Sequence, residues 1–432
     1  MSARDSAEYQ EIIIESNDGS KTVDLRLGVV AFRYYEDLFS PTITAKMIVV
    51  NTGRTVGGKD DKYESLYSGL PIRGGERISV KIQPGGGGPL LDFASKAQDY
   101  FYVSSVNNII REGQRELFAL DLVSREAITN ETTRVHSKFV RDKRISDHAV
   151  DLARDFLKTD VEVDVTQNQY GFIGNLRRPF NILVWLASKS VPESGIAGFF
   201  FYQTKSGFKF KSIDKLISDG VKKPKGPYTY YEAPQSPTET DDFKILNYGI
   251  EKNNDLLKKL RLGTYSSFFA EFNPLTSEFS LPQRGKFSLN DYTNKTINLG
   301  DNPEVPKVVS DAAFTLADMP SRIISSVASV GTIDAGITRA PNGSGALYQR
   351  QALMRYNLLF MQQLSMTVPV NTDLEVGDVI KCNFPRVSAS TGYDLEQSGL
   401  YMIKELCHSF DGTQSLTSMK LIRDTYGEFG NA

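Results

Sequence analysis

The sequence predicts a mainly β protein with an α+β insert: two duplicated antiparallel β-barrel domains, a small α+β domain and a peripheral insertion. Three observations predict this. Phe (25) and Tyr (20) are abundant, and with frequent Val, Ile and Thr they suit pleated sheets better than helical bundles. Segments of alternating apolar residues fill the first 135 positions and return at the end of the chain. One stretch between them switches to helical spacing.

At 432 residues the chain exceeds the usual domain of about 100–200 residues, so two to four domains are expected. Hydrophobic residues at 40% and charged residues at 24% fit a folded globular chain and argue against wholesale disorder. Lys and Arg number 50 against 52 Asp and Glu, so no large positive field gathers phosphates and tight nonspecific nucleic-acid binding is disfavoured. The start, MSARDSAEYQEIIIES, lacks the apolar core of a signal peptide, and no apolar run approaches the ~20 residues of a membrane helix. A cytoplasm-like compartment without membrane insertion is expected. Cys382 and Cys407 stand alone and far apart, which gives no disulfide framework or zinc site and predicts buried thiols.

Residues 1–137 read as a first β domain: EIIIES, a long stretch from Thr22 to Asn51, ERISVKI, YFYVSSVNNII and ELFALDLVS. Pro41 breaks the long stretch, so TITAKMIVV returns as the partner of VDLRLGVVAFRYY. The glycines of QPGGGGPLLDFASKAQD lack the Lys and Thr spacing of a phosphate loop and read as a flexible hairpin tip.

Residues 138–235 read as the α+β domain. In ISDHAVDLARDFLKTD the apolar Ile145, Ala149, Leu152, Ala153 and Phe156 recur at helical spacing, with Ser146 expected to cap the start. A second helix, PFNILVWLASKSV, begins with Pro179, whose missing N–H costs nothing at the first helical position. The strands GFFFYQT and GFKFKSI follow across a tight turn at Lys205 and Ser206. Four prolines in residues 222–242 predict a surface linker.

A second, discontinuous β domain is expected over 236–272 and 346–432, with 273–345, rich in Pro, Gly, Ser, Asn and Asp, as an irregular insertion. LYQRQALMRYNLLFMQQL reads as a helix, followed by the strands SMTVPV, EVGDVIKCNF, GLYMIKELCHSF and SLTSMKLIRD.

The end of the chain repeats the plan of its beginning. GGERISVKI sets Ile78, Val80 and Ile82 on one strand face, then an irregular stretch leads to YFYVSSVNNII, the turn REGQRE and LFALDLVSRE. VGDVIKCNF likewise alternates Ile380, Cys382 and Phe384, then a loop leads to LYMIKELCHSF, the turn DGTQ and SLTSMKLIRD. Each copy opens on a Gly and an acid (Gly75, Glu76; Gly377, Asp378) and closes on an Arg and an acid (Arg125, Glu126; Arg423, Asp424). Such a duplication lets three subunits present six similar surfaces, which suits docking a three-fold assembly on a six-fold ring.

Three places carry a family resemblance. VPVNTDLEVGDVIKCNFP, GLYMIKELCHSF with SLTSMKLIRDTYG, and RRPFNILVWLASKS followed by FFFYQTKSGFKFKSIDKLI resemble the baseplate hub proteins of contractile-tailed phages, relatives of the hub half of type VI secretion spikes. Val370 stands where many members have Gly, and the long insertion and the linker after Gly220 depart from the family's simplest form. The resemblance implies a homotrimer whose tube-like β domains form a pseudo-hexameric ring. That ring would stack on a tail tube or tube-initiator protein and on the central spike, near tape measure and baseplate wedge proteins, with DNA only in transit. It also implies a place in the virion's tail baseplate after assembly in host cytoplasm.

Catalytic chemistry has little support, and no catalytic, cofactor or metal residue is assigned. His136, His148 and His408 form no i, i+4 metal pair, and His148, beside Asp147 and Asp151, reads as a solvated helix face. His408 adjoins Cys407, but strand neighbours point to opposite faces and cannot serve as base and nucleophile. Asp60 with Asp61 and Asp241 with Asp242 read as turn or linker charges, and VDVTQNQYGF lacks the Gly and Glu of a calcium loop. Trp185 and Phe199 to Phe201 read as core. Sheet edges and loops are the functional candidates, because unpaired backbone can extend a neighbour's sheet. Two alternatives stay open: a β-rich tail-associated cell-wall hydrolase, which needs opposed acids or a nucleophile and base in a cleft, and a carbohydrate-binding tail adhesin, which needs aromatics on an exposed sheet face.

Overall fold

Alternating inward residues build the first sheet. Ile12 and Ile14 lie inward on β1 (Glu8–Glu15), and a short β2 (Thr22–Asp24) pairs back on it. β3 (Val29–Asp37) and β4 (Thr44–Asn51) form the hairpin expected around Pro41. β5 (Arg77–Gln83), β6 (Leu91–Asp92), β7 (Phe101–Glu112) and β8 (Arg115–Ser124) complete the unit. Its antiparallel order is β3-β4-β8-β7-β5-β1. Phe32, Tyr34, Met47, Val80, Phe101 and Phe118 fill the core. The computed structural model describes residues 5–426 except 52–55, 58–62, 65, 114, 232–241, 253–254, 275–276, 281–285, 294–295, 302–304, 309–310, 328–347 and 387–391. Asp60, Asp61 and Asp241 therefore lie outside the described residues.

The middle of the chain is α+β. α1 (Arg125–Thr132) is capped by Ser124, whose Oγ accepts the N–H of Ala127. α2 (Ile145–Leu152) starts one residue before the expected cap: Arg144 holds the cap position, and the N–H of Ser146 is instead donated to Thr166 Oγ1 at 3.0 Å. α3 (Pro179–Ala187) begins on its proline. β9 (Val161–Val163), β10 (Phe199–Thr204) and β11 (Gly207–Ser212) form a small sheet, followed by α4 (Ile213–Lys222). All six residues of β10 are buried because the strand lies between two cores: Phe199 and Phe201 pack with Leu183, Leu186 and Phe210, whereas Phe200 faces the C-terminal barrel.

The expected linker is corrected in part. Lys225–Tyr230 forms a strand, β12, with Tyr228 fully buried, because its backbone completes the C-terminal sheet. β13 (Asn247–Lys252) then joins that sheet, and α5 (Leu256–Leu262) follows. β14 (Ser266–Asn273), expected in the barrel, pairs instead with β15 (Glu278–Ser280), β16 (Lys286–Ser288) and β17 (Arg322–Val327). The insertion thus owns a sheet rather than being wholly irregular. It packs Phe287 and Leu289 on Met354 and Leu358 of α6 (Gln349–Leu358).

The C-terminal unit comprises β18 (Gln362–Pro369), β19 (Val379–Asn383), β20 (Gly399–Asp411) and β21 (Ser415–Arg423). Its order, β13-β18-β21-β20-β19-β12, repeats β3-β4-β8-β7-β5-β1. The repeat extends to single bonds. Gly75 donates to Val103 O at 2.7 Å and Val103 to Glu76 O at 2.9 Å; Gly377 donates to Ile403 O and Ile403 to Asp378 O, both at 2.9 Å. Both glycines hold positive φ, +92° and +88°. A bulge follows at the same place in each long strand, at Ser104 and Lys404. One pairing differs: β1 runs antiparallel to β5, whereas β12 runs parallel to β19.

Candidate assembly interface

The two copies meet edge to edge. Glu405–Asp411 of β20 pairs antiparallel with Ala31–Asp37 of β3, which fuses both units into one continuous sheet. Period-2 alternation sorts the seam residues by face. Leu406, His408 and Phe410 turn to the core with Phe32, Tyr34 and Glu36, while Glu405, Cys407 and Ser409 share the other face with Arg33, Tyr35 and Asp37. That second face mixes charged and hydroxyl side chains with apolar surface, and it forms an open trough of about 700 Å³ that includes Tyr35, Thr44, Tyr248, Ser365, Thr367 and Ser418. Two ion pairs lie on it, Lys420 with Glu405 at 2.9 Å and Lys46 with Asp121 at 3.8 Å.

Behind the seam lies a buried junction. Glu36 accepts three hydrogen bonds: from Tyr34 Oη at 2.7 Å, from the N–H of Lys205 at 2.8 Å and from the N–H of Val376 at 2.9 Å. One carboxyl thereby ties the first barrel, the turn of the α+β hairpin and the loop that opens the second barrel. Burial pushes its pKa up to about 7 despite these donors. Glu375 beside it is held below the usual range by Lys209, at 2.6 Å, and by Lys205, against the opposing effect of burial.

A second junction centres on Arg355, which is fully buried on α6. Its Nε lies 2.9 Å from Asp214, its Nη1 2.8 Å from Asp424, and its Nη2 donates to Ile297 O at 3.3 Å. Asp214 also accepts the N–H of Ile196 at 2.8 Å, and Asp424 that of Leu299 at 3.0 Å. The α+β domain, the insertion and the residue that follows the last strand share this node.

The structure places the sequence's candidate residues apart from one another. His136 is exposed. His148 is buried, not solvated: its ring packs against Phe139 and Phe172, its Nε2 lies 3.0 Å from Val140 O, and burial lowers its pKa. The helix face read as solvent-facing is thus partly covered by the Phe139 and Phe172 strands. His408 is fully buried, stacked on Tyr34 with Nδ1 2.9 Å from Thr417 Oγ1, and burial drives its pKa down to about 3. Cys407 is half-buried on the other face, and Cys382 is buried; burial raises both thiols. Trp185 packs partly on the α+β core and, with Tyr170 and Tyr348, surrounds the ammonium of Lys189 at 4.9–5.3 Å from the ring centroids.

Sequence reasoning missed Glu36 and Arg355. Each carried a signal: Glu36 continues the inward series Phe32, Tyr34, and Arg355 lies three residues from the buried Ala352 and Leu358 on one helix face. Among the described residues no group of three or more His, Cys, Asp or Glu could hold a metal ion, and no helix is long and apolar enough to cross a membrane.

No family model matches the sequence. A probable baseplate hub protein, gp334 of Vibrio phage KVP40, is 20% identical over 279 residues, 62% of this chain and 62% of that protein's length. Two solved structures share the fold over nearly their whole lengths. The 43 kDa tail protein of prophage MuSo2 from Shewanella oneidensis gives a TM-score of 0.53 at 11% identity, covering 96% of this chain and 98% of its own. The tail protein from Neisseria meningitidis MC58 gives 0.53 at 12% identity, covering 96% of each. The chain therefore shares its fold with these two tail proteins, and its sequence is similar over part of its length to that of a probable baseplate hub protein.

Proposed function

We propose that the chain is a structural hub of a tail baseplate, three copies of which close a ring with six similar sectors. The observation that carries this is the seam: one chain already sets two equivalent meanders side by side in a single sheet, as consecutive sectors of a ring would be. The ring would join a six-fold tail tube, or its initiator, to a three-fold central spike. This face of the sheet would line the lumen, where its mix of both charge signs and its Ser and Thr hydroxyls leave DNA in transit without a strong binding site. Tape measure and baseplate wedge proteins are further candidate neighbours, and a contractile tail is the implied setting. No catalytic residue is assigned, and the role is mechanical.

Sedimentation of the purified full-length chain over a range of concentrations tests this reading. Trimers, alone or with a spike protein, are expected. A chain that stays monomeric at every concentration and cleaves cell-wall glycan would overturn it in favour of a hydrolase.

A further inference from the structure

The seam inside one chain uses the outer edges of two strands, and each has an equivalent whose outer edge meets no strand among the described residues. β20 corresponds to β7, and β3 corresponds to β13. Among the described strands β7 pairs with β5 through Phe101 and Tyr102, and along its remaining length with β8. β13 pairs, among the described strands, with β18. We propose that Asn107–Glu112 of one copy pairs antiparallel with Asn247–Lys252 of the next, an inference that rests on the ring reading above.

The repeat sets the register. Counting five residues from Leu122 and from its equivalent Leu421 reaches Leu117 and Leu416, which face Ile110 and Ser409. Ile110 therefore corresponds to Ser409, Arg111 to Phe410 and Glu112 to Asp411. On the other strand, Arg33 faces Lys46, the neighbour of Asp121, and Gly249 faces Ser365, the neighbour of Lys420. Gly249 therefore corresponds to Arg33, Tyr248 to Phe32 and Asn247 to Ala31. Inside the chain Ser409 faces Arg33, Phe410 faces Phe32 and Asp411 faces Ala31. Between copies Ile110 then faces Gly249, Arg111 faces Tyr248 and Glu112 faces Asn247.

Exposure of apolar side chains supports this pairing. At the closed seam His408 and Tyr34 are 0% exposed. Their counterparts at these edges are Ile109, at a second β7 bulge between Asn107 and Ile110, and Ile250, which are 41% and 39% exposed, with Ile110 beside them at 50%. Two strand edges carrying exposed isoleucines invite strand addition. The contact is head to tail, with a different surface on each side, so it propagates and either closes into a ring or runs on as a filament.

Disulfide trapping tests the register. Directly opposed residues of an antiparallel pair lie about 4.5–5.5 Å apart at Cα, within disulfide reach. Glu112 and Asn247 are exposed, so both accept Cys without disturbing the core. In a Cys407→Ser background, Glu112→Cys combined with Asn247→Cys should give, on mild oxidation, a covalent trimer that reduction dissolves, while each single variant gives none. A variant that sediments as a trimer yet yields no covalent product overturns the seam and leaves the ring standing. A ladder of covalent species beyond three supports the seam and overturns the three-fold ring. A chain that never associates overturns both.

Discussion

The carboxyl of Glu36 accepts the backbone N–H of Val376 at 2.9 Å, across 340 residues of chain. With Tyr34 Oη and the N–H of Lys205 as its other donors, it makes the relative placement of three units depend on one buried group. Such a group is costly to remove, because its donors lose their acceptor out of reach of water.

Glu36→Ala should therefore destabilise the chain by about 3 kcal/mol, roughly 1 kcal/mol for each stranded donor. Glu36→Gln should lose less, since its amide oxygen still accepts from two of the three. Urea unfolding at pH 6 measures the difference, and equal losses for the two variants would count against the hydrogen-bond account.

The pH dependence separates Glu36 from His408. The folded value of Glu36, about 7, lies above its ordinary 4.5, so its favourable contribution is fully present below pH 4.5 and is lost as pH rises to 7. His408 at about 3 lies below its ordinary 6.5, so its contribution is full above pH 6.5 and is lost as pH falls toward 3. Between pH 4.5 and 6.5 the two slopes oppose each other. Glu36→Gln should expose the His408 slope, a rise of about 1.4 kcal/mol per pH unit in that window relative to wild type. Urea midpoints taken at half-unit pH steps check this.

The matched glycines predict matched penalties. A Cβ at Gly75 would meet Asn17 Oδ1 at 2.8 Å, and one at Gly377 would meet Tyr202 Oη at 3.0 Å, both on positive-φ backbone. Gly75→Ala and Gly377→Ala should each cost about 1–3 kcal/mol in thermal unfolding. Loss at one position only would argue that the two turns are not equivalent.

Arg355 neutralises two buried carboxylates at once. Arg355→Met leaves Asp214 and Asp424 without their cation and should lower stability by about 3–5 kcal/mol. Arg355→Lys should recover only part of that loss, because an ammonium cannot reach both acids and the Ile297 carbonyl with one planar fork. Chemical denaturation of both variants tests the order.

Much of the fold was legible in the sequence because it is local. Alternation marked the strands from Glu8 to Ser124 and from Gln362 to Arg423, Pro179 marked a helix start, and the order of parts marked the repeat. The errors lie where distant contacts override local composition. Lys225–Tyr230 reads as linker by its Pro and Lys but becomes a strand because β19 offers it a partner. His148 reads as solvated by its acidic neighbours but is covered by Phe139 and Phe172.

By itself the sequence determined that the chain holds two copies of one meander around an α+β unit, since periodicity and turn residues act over a few positions. Only the tertiary structure decided that the copies fuse through β20 and β3, that Glu36 and Arg355 tie the units together, and which edges meet no further strand among the described residues. Strand edges all offer the same backbone groups, so the choice of partner is made by which edges packing brings together.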